Sequence, residues 1–533
     1  MNGVAAMNVR NWLAVMALGL VAANSTEAAP LSPSTFPKIG TVEERYQSYN
    51  VEMLEVTGGR FWKPYKDIRT PAKISSQSAE PTRGTAAPAG MSPDLYQYRP
   101  PIDLSNRRLR ALARALGPAY VRISGTWANT TFFADTDTPP KTPPAGYGSV
   151  LTRQQWLGAI DFSRAVDAQI VTSLPNGVGT RDANGLWKPD QARRWLAFTR
   201  AHGGTIAAVE YFNEPTLASM GGAPKGYDAA AFGRDFKVFD AFMRKEFPTV
   251  KLLGPGSVGE ADAPWAVASG GYGDIKMLPA AALAASTGDA DAFSYHHYGA
   301  ASERCAAMGH QTTAGQALSE DWLGRTDQTL AFYRAVRDRE MPGKPFWNTE
   351  TADAACGGNP WASTFLDTFR YLDQLGRLAR QDVKVVIHNT LAASDYGLLD
   401  EHSYEPRPNY WAALLWRRLM GTVVLDAGPS REGLHLYAQC LRGQPGGVAL
   451  LAINNSRNAA SSIDLPTASL RYTLSADSLQ SGSVKLNGKS LRLLANDTLP
   501  DLKGQSAAAG EQNLARETIT FFAVPRAVNP ACQ

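Results

Sequence analysis

Glu214 lies in VEYFNEPT (Val209–Thr216) and Glu350 in KPFWNTETAD (Lys344–Asp353). Each glutamate closes a β-branched or aromatic run that reads as a buried parallel strand, at the point where the run meets a loop. Two carboxyl groups delivered to one end of a barrel are what cleavage of a glycosidic bond needs. One protonates the leaving oxygen while the other attacks the anomeric carbon, and retention of configuration calls for a separation of about 5–5.5 Å. On that reading Glu214 is the acid/base, with its pKa raised by the charge of the nearby nucleophile, and Glu350 is that nucleophile. Asn213 sits beside Glu214 and can hold the sugar 2-hydroxyl. His296, His297 and Tyr298 end another strand-like run. Side chains alternate along a strand, so His296 and Tyr298 share a face, from which a bond to the nucleophile is possible, and His297 points away. Two adjacent histidines on a regular strand cannot chelate one metal, so no metal and no cofactor are expected.

The elements that must position these groups alternate between strand and helix. Eight strand-like runs lie at Tyr49–Val56, Ala119–Ile123, Gln169–Leu174, Ile206–Phe212, Val250–Leu253, Ala292–His297, Pro345–Asn348 and Val383–His388. Amphipathic helices fall between them at Leu104–Leu116, Tyr227–Glu246, Asp327–Arg339 and Trp361–Gln381. The pattern predicts an α/β fold, a (β/α)8 TIM barrel over residues 49–420, whose site lies at the carboxyl ends of the strands. Ser75–Met91 and the proline-rich Ala134–Tyr147 read as surface loops. From residue 421 to 533 short β-prone runs replace the alternation, including Leu434–Ala438, Val448–Asn454, Leu491–Leu493 and Glu517–Val524. They predict a C-terminal β-sandwich domain, joined by a strand from residues 29–48.

The chain has 533 residues, 44% hydrophobic and 19% charged, with a net charge of +4. That suits a large domain plus a smaller one and carries no nucleic-acid footprint. Arg10, the apolar run Trp12–Ala23 and the small-residue context at Thr26–Ala28 read as a secretory signal over residues 1–28, too short to span a bilayer as a mature helix. The mature chain is therefore expected to be secreted or periplasmic, without an integral membrane segment, and a monomer. Export makes disulfides of the four cysteines, Cys305, Cys356, Cys440 and Cys532, which allow three pairings. A Cys440–Cys532 bond would pin the last strand to its domain.

Further segments carry a resemblance. AYVRISGT (Ala119–Thr126), YFNEPT, YHHYG (Tyr295–Gly299), NTETAD with its following CGG, SDYGLLDE (Ser394–Glu401) and PNYWAALLWRRLMGTVVL (Pro408–Leu425) together resemble the heparanases and bacterial β-glucuronidases of glycoside hydrolase family 79. The late cysteine pair matches as well. The resemblance implies a retaining β-glucuronidase, endo or exo, whose partner is a glycosaminoglycan such as heparan sulfate or heparosan. It implies that a uronic carboxylate is received by the backbone of Gly357 and Gly358 and by the Tyr396 hydroxyl, with Asn389 and Thr126 nearby. A Gly-Gly turn lets backbone donors approach an anion closely. The first-strand segment departs from the family's acidic pattern and leaves Asn50 and Glu52 as candidate ligands. Of the family's sulfate-binding cations only Arg304 has a counterpart, and the chain has no room for an excised linker, so one uncut chain is expected. The rival readings are a retaining glycosidase for a neutral sugar, a non-catalytic polysaccharide-binding protein, and a metallohydrolase using His296 or His297.

Overall fold

The computed structural model of the protein describes residues 31–68, 91–266 and 275–533. The signal segment and nearly all of the Ser75–Met91 loop lie outside the described residues. Eight parallel strands close into a barrel: Gln47–Glu52, Ala119–Ser124, Ala168–Ser173, Ile206–Glu210, Lys251–Ser257, Ala292–Tyr298, Phe346–Ala352 and Val383–His388. The last pairs back onto the first through Val386↔Gln47 and His388↔Tyr49.

Alternation along each strand divides the barrel's inner and outer faces. In the second strand Val121 and Ile123 join the large core beneath the helices. Tyr120, Arg122 and Ser124 take the other face and point inward. The inner face is apolar toward the amino ends, where Tyr120, Val171, Ala208, Leu253, Ala292, Trp347, Val385 and Ile387 form one cluster. Toward the carboxyl ends it turns polar, with Asn50, Arg122, Glu210 and Thr349 all buried. Side chains fill the bottom of the barrel and a charged floor supports whatever binds at the top.

Two sequence readings need correction here. The first strand does not run to Val56; it ends at Glu52, and Met53–Thr57 is a short helix. Glu52 caps that helix reciprocally with Glu55, whose Oε2 accepts from the Glu52 backbone N–H at 2.8 Å. Leu491–Leu493 is not a strand. Its two leucines, Leu491 and Leu493, remain half-buried against the main core without a ladder of their own.

The C-terminal region is an antiparallel sheet of nine strands, with a two-stranded sheet (Ser461–Leu465 and Gly510–Leu514) beside it. Lys38–Thr41 pairs with Met420–Leu425 at its edge. The central strand Val448–Asn454 shows how the layers are held. Ala449, Leu451 and Ile453 belong to the core shared with the barrel, whereas Val448, Leu450 and Ala452 pack with Ile463, Leu465 and Leu514 of the small sheet. Both faces are covered, which is why every residue of this strand is buried. The cysteines pair as Cys305–Cys356 and Cys440–Cys532.

Candidate active site

Arg122 is the centre of the charged floor. It is fully buried, and its Nη1 donates to Glu350 Oε2 at 2.7 Å and to Asn50 Oδ1 at 3.1 Å. Its Nη2 donates to Glu210 Oε2 at 2.8 Å and to Asn213 Oδ1 at 2.7 Å. Burial alone would discharge the guanidinium, but Glu210 and Glu350 hold its proton more firmly than usual. Burial likewise opposes the charge of Glu210, and Arg122 overcomes it and lowers that pKa. Neither Arg122 nor Glu210 is among the residues expected from sequence. Their signal was there: each is a lone charge inside an otherwise apolar strand, a placement that requires a buried partner.

Asn213 turns its oxygen to Arg122, and its backbone N–H donates to Asn129 Oδ1 at 3.0 Å. Among the described residues no acceptor takes its amide nitrogen, which leaves that donor for a ligand. Asn50 differs: it accepts from Arg122 and donates toward the carbonyls of Thr349 and Ile387. It therefore belongs to the floor under the site and not to the cleft wall.

Glu214 follows the fourth strand with a left-handed backbone, φ 55°. A non-glycine residue held there is uncommon and is found where a site fixes a side chain against its preference. His296 Nδ1 lies 2.9 Å from Glu214 Oε1, and His296 Nε2 lies 3.2 Å from Arg122 Nη2. A guanidinium only donates, so Nε2 accepts, and the ring hydrogen sits on Nδ1 and is given to Glu214. Burial lowers the His296 pKa to about 4 against the pull of Glu350, so the ring is neutral. The Glu214 pKa is raised to about 7. The expected cause, the charge of the nucleophile, is corrected: burial comes first, and Glu210 adds to it while Arg122 opposes.

Glu350 reaches the cleft through a break in the strand pattern. Thr349 already faces inward and donates to Glu210 Oε1 at 2.7 Å. Strict alternation would send the next residue outward. The register slips against the eighth strand between Asn348 and Thr351, and against the sixth strand where His296 pairs with Glu350. Glu350 thus also turns inward. Tyr298 Oη donates to its Oε1 at 2.6 Å. His297 lies on the opposite face, with Nε2 3.3 Å from Thr326 Oγ1.

Asn389 ties the next layer together. Its Nδ2 lies 3.0 Å from Tyr298 Oη, 3.1 Å from Tyr396 Oη and 3.2 Å from Glu52 Oε1. Burial, then Glu350 and Glu55, push the Glu52 pKa well above the usual carboxylate range. The cleft holds about 780 Å³ including its mouth and is lined by Glu214, Glu350, Glu52, Thr126, Tyr298, Asn389 and Tyr396. Trp62, Tyr96 and Trp127 form an aromatic side of it, with Trp62 stacked on Tyr96 at 4.6 Å. Cys356 borders the cleft and the Gly357–Gly358 turn follows it, with φ of 80° and 82°. Arg304 is buried beneath that turn, paired with Asp395 and stacked 4.1 Å over Tyr65. It is not presented to solvent as a cation for a sulfate.

Ligand atoms of Glu214, His296 and Glu350 lie within 4.8 Å of one another, close enough to hold a metal ion. The donor set does not fit one. The His296 Nδ1 hydrogen is committed to Glu214, and the Arg122 guanidinium already supplies the positive charge beside Glu350.

No family model matches the chain. It is 28% identical to mouse heparanase over 493 residues, covering 80% of this chain and 88% of that protein. It is 26% identical to the hyaluronoglucuronidase of the leech Hirudo nipponia, over 81% of this chain and 92% of that one. A shorter stretch of 165 residues, 29% of this chain and 31% of the relative, is 34% identical to the baicalin-β-D-glucuronidase of Scutellaria baicalensis. The chain is a homologue of the heparanases and β-glucuronidases. As such it is a glycoside hydrolase. Among solved structures, a 4-O-α-L-rhamnosyl-β-D-glucuronidase from Fusarium oxysporum shares the fold, with TM-score 0.60 at 12% identity over 93% of this chain and 98% of that one.

Proposed function

We propose that this heparanase-like glycosidase is a retaining β-glucuronidase that cleaves glucuronosyl linkages in polysaccharides such as heparan sulfate or heparosan. The observation that carries the reading is the approach of Glu214 and Glu350 oxygens to within 4.8 Å, near the spacing of retaining pairs and well short of the roughly 6.5–9.5 Å that inverting pairs keep. Glu350, fixed by Arg122 and Tyr298, attacks the anomeric carbon and forms a glycosyl ester. Glu214 accepts from His296 at Oε1, so Oε2 is free to carry the proton given to the departing oxygen. Once the leaving group is gone, the same carboxylate takes a proton from water, which hydrolyses the ester.

The uronic carboxylate is received at the Gly357–Gly358 turn and the Tyr396 hydroxyl. Among the described residues no acceptor takes the N–H of either glycine, which supports that role. Asn213 donates to the 2-hydroxyl, and Glu52 and Asn389 meet the remaining hydroxyls. The names of the mouse and leech relatives favour a glycosaminoglycan as partner. Two disulfides accord with an exported protein.

The test is hydrolysis of p-nitrophenyl β-glucuronide against the β-glucoside, with the first-formed sugar followed by proton NMR. The glucuronide should be cleaved in strong preference and release the β-anomer first. Equal rates on the two substrates would return the site to a neutral sugar, and an α-anomer would refute retention.

A further inference from the structure

The donors assigned to the uronic carboxylate stand on backbone that no strand or helix supports. Cys356, Gly357 and Gly358 are three consecutive left-handed residues, with φ of 65°, 80° and 82°. For Cys356, which has a Cβ, that conformation is unfavourable and must be imposed from outside. The restraints come mainly from the segment after the sixth strand. Ala355 N–H donates to Ala300 O at 2.9 Å and Ser302 N–H donates to Ala355 O at 3.0 Å. Ser302 Oγ donates to Cys356 O at 3.0 Å. The Cys305–Cys356 disulfide then closes the two segments covalently.

The same bond places a charge. Arg304 adjoins Cys305, and its Nε and Nη1 are buried without a hydrogen-bond partner. A Cβ added at Gly357 would lie 2.6 Å from that Nη1 and 2.8 Å from Trp62 Cγ. Only glycine lets the turn come this close to the guanidinium, which is paired with Asp395 through Nη2 but keeps Nε and Nη1 as open donors for an anion bound at the turn. Glu214 and Glu350 are held separately, by hydrogen bonds from His296, Arg122 and Tyr298 that involve neither cysteine.

We infer that the Cys305–Cys356 disulfide is the positioning pair for substrate choice: it holds the Gly357 and Gly358 donors and the Arg304 charge on the sugar's carboxylate, and thereby sets the preference for a glucuronide over a glucoside. This rests on the reading of the turn as the carboxylate site. Charge-assisted hydrogen bonds are directional, so a turn free to relax loses them while the catalytic pair stays in place.

The experiment measures the ratio of kcat/KM for p-nitrophenyl β-glucuronide to that for the β-glucoside. It compares the intact protein, C305A/C356A, Gly357→Ala and, as a disulfide remote from the site, C440A/C532A. C305A/C356A should lower the ratio about ten- to hundredfold, the worth of one charge-assisted bond, mostly through KM for the glucuronide. C440A/C532A should leave the ratio unchanged. A ratio held within twofold in C305A/C356A, with a collapse in Gly357→Ala, overturns the disulfide's role and leaves the carboxylate site standing. An unchanged ratio in both removes the carboxylate site itself. Ser302→Ala, which keeps the disulfide but loses the bond to Cys356 O, should lower the ratio several-fold. If C305A/C356A does not fold, the ratio is measured on folded C440A/C532A with its remaining disulfide reduced by a thiol reductant, and an unchanged ratio there overturns the inference.

Discussion

In the proposed mechanism a single proton at Glu214 connects structure to rate. The groups facing this carboxyl are His296, Arg122, Glu210, Glu350 and Tyr298. Burial and Glu210 raise its pKa to about 7, so the acid form dominates below that pH and is lost above it. Turnover of a glucuronide with a poor leaving group should therefore fall as pH rises through about 7. Glu214→Gln should lose roughly 10²–10⁴-fold on that substrate and much less on p-nitrophenyl β-glucuronide, whose leaving group needs little protonation. The alkaline limb of the pH profile should vanish in the variant. A limb that survives there would place the titrating proton on another group.

Between elements, one glycine measures how closely the barrel meets the sheet. Helix Phe365–Arg380 crosses the strand His435–Leu441, and a Cβ at Gly376 would lie 2.3–2.6 Å from three ring carbons of Tyr437. In an isolated helix, glycine to alanine gains about 1 kcal/mol. Here the ring cannot retreat, because its hydroxyl donates to Asp373 Oδ1 at 2.6 Å from the same helix. Overpacking of this kind costs about 1–3 kcal/mol and outweighs the propensity gain. Gly376→Ala should lower Tm by a few degrees in a thermal melt, with kcat/KM at 25 °C retained. A raised Tm would show that the interface has slack.

Across the whole molecule, the barrel and the sheet domain share a buried charge. His435 of the sheet meets Asp373 Oδ1 at 2.6 Å through Nδ1, and Glu320 Oε2 at 2.8 Å through Nε2. Burial alone would lower its pKa, but Asp373 and Glu320 raise it to about 9. The unfolded chain titrates near about 6.5, so this contribution, on the order of a few kcal/mol, is complete below that pH and is lost as pH rises through about 9. His435→Gln should thus melt well below the native protein at pH 6, and the two melting curves should converge by pH 10. A gap that does not change with pH would mean the histidine acts through packing alone.

Much of this protein can be read along the chain. Buried strand runs at Ala119–Ser124, Ile206–Glu210 and Phe346–Ala352 are local facts of residue type and period, and they carry the barrel with them. Glu214 stands out because it follows such a run, and Glu350 because it interrupts one near its carboxyl end. What the chain could not declare is which distant groups meet. Arg122 and Glu210 are isolated charges until the barrel closes and brings the second and fourth strands to one floor, where each supplies the countercharge the other needs. The inward turn of Glu350 depends on a register slip against two neighbouring strands, which no single strand encodes. The rise in the Glu214 pKa follows from burial, a property of the surroundings more than of the glutamate. Residue type and spacing determine what chemistry is available; only the closed barrel decides distance, solvent exclusion and charge balance, because these depend on atoms far apart in sequence.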